Sequence, residues 1–328
     1  MMEKGIAMNT VLKRFYRFGP LWLAVVLAFF VILPSFISQG YVSLVIEMLI
    51  MAVASCGLNL IMGYAGMVSF GPAGLYAVGA YTTALLIVKG NVPFGLAIIA
   101  GPVGAAIVGV IVGWFCVRLT HVYFALLTLA FSQIIYTIIF QWYGFTGGDN
   151  GIVGIKVPHY LASINHYYYF TLIMAVICLG LMWLICNSSF GRALEAIREN
   201  PERTEFIGIH VRRYQLAAFV LSGFFLGAAG ALFCGFNHNV FPDYAHWSKG
   251  ADFLVVCLLG GMYNFVGPVL GSIVYILLDK IISSFTEYWP LVLGPIVVLA
   301  VLFLRGGIAG FVWEKFSGMM IVEESRER

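Results

Sequence analysis

The most constraining feature of this chain is a series of long apolar segments, each close to the length that a helix needs to cross a bilayer. The 328 residues are 61% hydrophobic and only 10% charged, whereas a soluble domain has roughly 25% charged residues. A helix of about 20 apolar residues spans a hydrocarbon core of about 30 Å. The composition therefore excludes a soluble cytosolic enzyme and predicts a polytopic membrane protein, whose apolar segments are 19–38, 41–62, 69–88, 92–117, 121–141, 167–186, 215–236, 252–263, 266–284 and 288–304.

These segments predict an all-α fold, a transmembrane helical bundle of about 8 to 10 spans. The range arises because segment 252–263 is short for a full crossing. The pair that covers 252–284 therefore forms either two spans or two re-entrant halves. The whole chain, 1–328, is interpreted as a single transmembrane domain.

The distribution of basic residues predicts the orientation of the bundle. With the N-terminus in the cytoplasm, only four of the 18 Lys and Arg residues fall on the outer side, namely Lys89, Lys156, Lys249 and Lys280. Cytoplasmic loops of membrane proteins carry such an excess of basic residues. The pattern thus places both termini inside, with 1–18, 187–214 and 306–328 as the cytoplasmic segments.

The cytoplasmic stretch 187–214 has the pattern of two short helices. The first is predicted over about 191–200, with its charges on the face opposite to the apolar residues Ala193, Ala196 and Ile197. Pro201 suits the first turn of a second helix, and Gly208 is expected to end it in a left-handed conformation. The hairpin either presents a small surface to another protein or is a solvated connecting loop.

Two glycine-rich stretches interrupt the helical pattern, one near each end of the chain. They run from Gly63 to Gly74 and from Gly260 to Gly271, and each contains a Gly-Pro step. Non-helical backbone at membrane depth occurs only where protein buries it or where it lines a water-filled cavity. The two breaks suggest an internal repeat with a transport path between its halves, and the alternative is close helix packing through small residues. The candidate path residues are Gly63, Gly66, Ser69, Gly71, Asn264 and Gly267.

The outer loop 142–166 contains a polar, glycine-rich motif that faces the side from which a substrate would arrive. We expect it to shape an outer mouth or a docking site, and the alternative is an ordinary turn. The candidate mouth residues are Thr146, Gly147, Gly148 and Asn150.

Other functional classes find little support in the sequence. It has no GxxxxGK[ST] phosphate loop, no HExxH motif and no paired Cys or His spacing, so neither an ATP site nor a metal site is predicted. The net charge of +3 is too small to indicate nucleic-acid binding. Among these other classes, ion-coupled transport finds the most support, because the ionisable residue Glu47 lies inside a span. Asp252, Asp279 and Glu287 are expected at or near span ends.

Several short motifs follow one another in order between about residue 45 and residue 310. They are Gly63-Tyr64-Ala65-Gly66 through Gly79-Ala80-Tyr81-Thr82, Thr146-Gly147-Gly148 with Asn150-Gly151-Ile152, Gly191-Arg192-Ala193-Leu194 with Ala196-Ile197-Arg198-Glu199-Asn200, Gly208-Ile209 with Val211-Arg212-Arg213-Tyr214, Gly267-Pro268-Val269-Leu270-Gly271, and Leu302-Phe303-Leu304-Arg305-Gly306. This set resembles the permeases of bacterial branched-chain amino acid ABC transporters, of the type called LivM, with urea permeases as close relatives.

The resemblance implies an inner-membrane permease subunit of an ATP-binding cassette importer. It would translocate leucine, isoleucine or valine delivered by a periplasmic binding protein. Its partners would be that protein, a second similar permease, two ATPase subunits and the lipid bilayer. ATP and Mg would bind to the ATPase subunits, so this chain would hold no cofactor and would not be an enzyme. Urea, amides or another small amino acid or acid are the alternative substrates.

The resemblance also implies a role for the cytoplasmic hairpin. Permeases of ABC importers carry a coupling helix that docks on the ATPase, with the signature Glu-Ala-Ala, three further residues and Gly. Here Gly208 matches, but Glu202-Arg203-Thr204 stands in place of Glu-Ala-Ala. Arg203 would then need an acidic or polar partner on the ATPase. The coupling residues expected from this comparison are Glu195, Arg198, Glu202, Arg203, Thr204 and Gly208.

Overall fold

The computed structural model describes residues 28–286, 288–303 and 306–311, and these residues are mostly helical. The α-helices are α1 (Gln39–Asn59), α2 (Pro72–Val88), α3 (Phe94–Cys116), α4 (His121–Gln141), α5 (Tyr143–Thr146), α6 (Ile164–Asn187), α7 (Ser189–Glu199), α8 (Pro201–Phe206), α9 (Val211–Asn237), α10 (Trp247–Gly260), α11 (Gly267–Phe285) and α12 (Trp289–Phe303). A π-helical turn, Leu60–Tyr64, extends α1. Short 3-10 turns lie at Leu33–Ser35, Gly148–Asn150, His159–Leu161 and Pro242–Ala245.

The predicted all-α membrane fold is confirmed. Within the described ranges, six helices are long and apolar enough to cross a membrane, namely α1 with its π-turn, α3, α4, α6, α9 and α11. The shorter apolar helices α2, α10 and α12 accompany them. The tails 1–18 and 312–328, and residues 19–27 of the first apolar segment, lie outside the described residues.

The bundle has two ends that differ in structure. At one end, here called the β end, strands β1 (Ile152–Val153) and β2 (Asn239–Val240) pair antiparallel, with Ile152 opposite Val240. At the other end, here called the hairpin end, α7 and α8 form the predicted helical hairpin between α6 and α9. Helix α1 runs from the β end to the hairpin end, where its π-turn meets α7.

Helix α9 is the centre of the bundle and packs on α1, α2 and α3. Small residues allow the backbones to approach closely. If a side chain replaced the hydrogen of Gly79 on α2, its Cβ would overlap the backbone of Gly227 on α9. A Cβ added at Gly230 would likewise overlap the carbonyl of Tyr76. Both glycines on α9 therefore serve helix packing.

The pair that covers 252–284 forms a hairpin of unequal helices, α10 and α11, which pack on each other and on α1. Helix α10 has 14 residues and is therefore about 21 Å long at 1.5 Å per residue. It ends at Gly260, and Gly261, the residue that follows, has a φ of 104°. The predicted internal repeat stays a prediction.

Candidate functional site

The first glycine break begins where α1 passes into its π-turn. The turn covers Leu60–Tyr64, and Gly66 follows with φ of 70°, a backbone conformation that glycine adopts without steric cost. Single π-turns inside helices are rare and occur frequently at functional sites. The chain re-enters a helix only at Pro72, the first residue of α2.

The second break lies directly against the first. A Cβ added at Gly63 would overlap the carbonyl oxygen of Met262, so the two broken segments touch through backbone atoms. Cys56 Sγ lies 3.9 Å from the Phe265 carbonyl oxygen and donates to it. A Cβ at Gly267 would overlap the Gly261 carbonyl, so Gly267 serves close packing within the second break. The structure thus brings Gly63 and the second break together at the hairpin end.

The hairpin itself forms for local reasons. The Ser188 hydroxyl accepts hydrogen bonds from the backbone N–H groups of Phe190 and Gly191 at 3.2 and 3.4 Å, which caps α7. Asn200 Oδ1 accepts from the Arg203 N–H at 2.9 Å and caps α8. Gly208 has φ of 89° and ends the hairpin, as the sequence predicts.

Arg198, near the end of α7, links the hairpin to both breaks. Its Nη1 donates a hydrogen bond to the Gly63 carbonyl, and its guanidinium lies 5.3 Å from the centroid of the Tyr263 ring. Its aliphatic stem packs on Gly66, where a Cβ would lie 2.7 Å from Arg198 Cγ. We call Arg198, Gly63, Gly66 and Tyr263 the Arg198 junction.

The position of Arg198 corrects one expectation from the sequence, which placed it with the outward charges of α7. It turns inward because Gly66 has no side chain and leaves room for the stem, while Gly63 supplies an acceptor. Apolar residues reinforce the same contact. Leu194 and Ile197 of α7 are buried in one cluster with Leu60 of the π-turn, and Phe265 of the second break packs against that cluster.

The other path candidates do not share one environment. Ser69 is buried, and the residues after it are held to α4. The Phe70 N–H donates to Thr128 Oγ1 at 3.2 Å, and a Cβ at Gly71 would overlap the Thr128 carbonyl. Asn264 is exposed.

The surface of the hairpin differs from what the sequence indicated. Phe206 and Ile207 at its tip are 91% and 74% exposed. Sequence reasoning missed both, although an apolar pair between charged residues and Gly208 was the available signal. Glu202 and Arg203 are exposed. Thr204 is instead buried, and its Oγ1 donates to the Asn200 carbonyl at 2.9 Å, so it packs as a small residue and presents no surface.

At the β end, the predicted mouth motif is an ordered turn. Thr146 is buried, and its Oγ1 donates to the Ile139 and Trp142 carbonyls at 2.6 and 2.8 Å. Gly147 and Gly148 have φ of 84° and 60°, so these three residues fix the turn. Asn150 remains exposed beside β1. Nearby, the Asp149 carboxylate raises the pKa of the Tyr143 phenol by accepting a hydrogen bond from it.

Cysteines and metal-ligating residues form no further site in the described part of the chain. All six cysteines are buried and free of disulfides. In these ranges, no group of three or more His, Cys, Asp or Glu side chains is placed to hold a metal ion.

Comparisons with known proteins agree on one family. The family model described as branched-chain amino acid transport system, permease component, matches residues 40–305. The high-affinity branched-chain amino acid transport system permease protein LivM of Escherichia coli K12 is 29% identical over 320 residues, covering 88% of this chain and 74% of the relative. LivH of the same organism is 25% identical and covers 79% of this chain and 91% of the relative. A probable LivM permease of Methanocaldococcus jannaschii is 25% identical and covers 71% and 78%. No solved structure matches.

Proposed function

We propose, since the chain belongs to the branched-chain amino acid transport system permease family, that it conducts leucine, isoleucine or valine across the inner membrane of a bacterium as part of an ATP-binding cassette importer. As a permease component it is a multi-pass transport subunit and not a catalytic one. The whole chain, 1–328, would act as one permease domain. It would bind no cofactor, since ATP and Mg would be held by partner subunits.

The observation that carries this proposal is the Arg198 junction. A hairpin with an exposed apolar tip, Phe206 and Ile207, is joined through Arg198 to both helix breaks. An ATPase that docks on this tip can therefore act on the breaks directly. Glu202 and Arg203, both exposed, would add polar contacts around the apolar centre, which is the usual organisation of a protein interface.

The charges support a cytoplasmic position for the hairpin and for both termini. Basic residues gather at the hairpin end, whereas the β end has Lys89, Lys156, Lys249 and Lys280. The β end would then face the periplasm, and Asn150 would lie where a substrate-loaded binding protein arrives. A second, similar permease and two ATPase subunits would complete the importer.

Uptake of labelled substrates tests this function. Cells with and without the gene, both carrying the partner subunits, are supplied with labelled leucine or labelled urea. We expect gene-dependent leucine uptake that requires ATP and competes with isoleucine and valine. Uptake of urea alone would move the assignment to the urea branch. Uptake that persists without ATP and follows a proton gradient would favour ion coupling through Glu47.

A further inference from the structure

Helix α1 carries polar side chains along one winding stripe. Glu47, Ser55 and Asn59 are separated by eight and four residues, and Gly63 of the Arg198 junction continues the series. A step of four residues turns about 40° around an α-helix. Residues four apart are therefore neighbours along one face, and the stripe leads from the β end towards the first glycine break.

The buried part of this stripe faces away from the central helix α9. The opposite side of α1 contacts α9 at Gly57, where a Cβ would lie 3.1 Å from Phe225 Cβ. Ser55 and Asn59 are each two residues from Gly57, which is about 200° around the helix. On their side lies α10, whose Cys257 Sγ donates to the Ser55 carbonyl at 3.1 Å.

Two side chains of the stripe are buried without a hydrogen-bond partner. Ser55 and Asn59 are 0% and 2% exposed, and neither Ser55 Oγ nor Asn59 Oδ1 has a partner. Leaving a buried polar group unpaired costs about 1 to 3 kcal/mol, so such groups require a specific reason. Asn59 Oδ1 lies so close to Gly63 that a Cβ there would overlap it. The unpaired oxygen therefore sits at the break itself.

The β-end part of the stripe opens into a cluster of charges on α1, α10 and α11. Glu47 lies within electrostatic range of Lys249, Asp279 and Lys280. Lys249 Nζ is 3.5 Å from Asp252 Oδ2, and the side chains of both are about 30% exposed. Asp252 and Asp279, which the sequence places at or near span ends, belong to this cluster with Glu47, whereas Glu287 lies outside the described residues.

The chemistry of this cluster is specific. Charged side chains within spans are costly and usually face a water-filled cavity or a partner. Carboxylates and ammonium groups that stand side by side match a small zwitterion, whose two charges are also side by side. The Tyr275 hydroxyl donates to Asp252 Oδ1 at 2.7 Å and fixes one of the carboxylates.

We propose that this stripe is the substrate track of the subunit, and this proposal rests on the proposed function. The charged cluster receives a free amino acid as a zwitterion, with Glu47, Asp252 and Asp279 around its ammonium group and Lys249 and Lys280 around its carboxylate. Ser55 Oγ and Asn59 Oδ1 then supply the polar partners that the ammonium group needs as it passes towards Gly63. In the track, the substrate or the water that precedes it is the hydrogen-bond partner of these two oxygens.

Thiol accessibility tests the track without assuming a substrate. Ser55→Cys and Asn59→Cys are made in the complete transporter after replacement of the six native cysteines. Thr171→Cys is the matched control, because Thr171 is 0% exposed, its Oγ1 is also unpaired, and it lies on α6. A small cationic methanethiosulfonate reagent should modify both track cysteines at least tenfold faster than the control in the nucleotide-free or the ATP-bound state. Rates equal to the control in both states would overturn the track.

A second pair of variants avoids the cysteine-free background. Asn59→Leu removes the polar group at nearly constant size, and Thr171→Val does the same at the control position. We expect leucine uptake to fall about tenfold in Asn59→Leu, as the loss of a hydrogen bond to a charged group implies, and to stay within about twofold in Thr171→Val. Uptake at the wild-type rate in Asn59→Leu contradicts the track.

The two tests separate the track from the proposed function. If the wild-type transporter imports no branched-chain amino acid, the proposed function fails, and the thiol rates still decide whether water reaches the stripe. If leucine uptake is normal and the track cysteines are inert, the track alone is wrong.

Discussion

Replacement of Arg198 by methionine tests whether the hairpin drives the helix breaks. Methionine retains an apolar stem against Gly66 but cannot donate to the Gly63 carbonyl or lie as a cation over Tyr263. An unmade hydrogen bond costs about 1 to 3 kcal/mol, and a cation–π contact contributes about 0.5 to 2 kcal/mol. Since Arg198 is only half-buried, we take about 1 to 3 kcal/mol for the junction as a whole.

A coupling free energy of about 1 to 3 kcal/mol corresponds to about 5- to 150-fold in the linked equilibrium. We therefore expect Arg198→Met to lower the stimulation of ATP hydrolysis by the substrate-loaded binding protein by at least fivefold. Basal hydrolysis should change little, because the exposed tip at Phe206 and Ile207 is untouched. The assay measures ATP hydrolysis and leucine uptake of the complete transporter in proteoliposomes.

Arg192→Met is the matched control, since Arg192 lies on the same helix and is exposed. Arg198→Lys adds a graded comparison, because lysine keeps the charge but not the planar group that stacks on an aromatic ring. Full stimulation in Arg198→Met, or an equal loss in Arg192→Met, would refute the junction as the coupling element.

Two further predictions concern the hairpin and the breaks. Gly208→Val should abolish stimulated hydrolysis with normal membrane insertion, whereas Gly208→Asn should retain most of the stimulation. A Cβ at this position meets no atom within 4 Å, so the destabilisation comes from the φ of 89°, and asparagine tolerates a left-handed backbone. Equal loss in both variants would contradict this reasoning. In a cysteine-free background, Asn264→Cys should react with a charged thiol reagent without ATP, whereas Ser69→Cys should react only when the transport cycle separates Ser69 from its packing. Fast modification of Ser69→Cys in the resting state would contradict that difference.

Local signals in the sequence predicted the hairpin well. Its second helix follows from Pro201 at the first turn and from Gly208 at the end, and these effects act within a few residues. The membrane fold was equally accessible, because the length of an apolar run carries most of the information about a span. The two glycine breaks were also visible, since they interrupt the helical pattern on both sides.

Contacts between distant segments could not be read in this way. The inward turn of Arg198 depends on Gly63, which is 135 residues away along the chain. The sequence indicates only that Arg198 is charged and lies among other charges on a short helix. Similarly, Glu47 comes within electrostatic range of Lys280 only because α11 returns beside α1. The spacing of charges within one span gives no information about a neighbouring span.

Ser69 and Asn264 illustrate the same limit from the other side. Both are polar residues beside a Gly-Pro step, so the sequence treats them alike. The structure buries Ser69 and leaves Asn264 exposed. Next to Ser69, the backbone N–H of Phe70 donates to Thr128 Oγ1 and so holds this segment against α4. A motif thus marks where the helix breaks, while the neighbouring helix decides which side chain water can reach.

The position of the junction also suggests how a hairpin outside the helical bundle could act on a path within it. A helix moves as a rigid body over its hydrogen-bonded length, and a break lets its end move separately at small cost. Arg198 binds Gly63, which lies one helical turn beyond Asn59 on α1. A displacement of the hairpin would therefore shift the end of α1 against the Met262 carbonyl and change the space around Asn59 Oδ1. The proposed coupling element and the proposed track would therefore meet at this one turn of helix. We expect Arg198→Met to change how the thiol reactivity of Asn59→Cys differs between nucleotide states, and to leave the reactivity of Thr171→Cys unaffected.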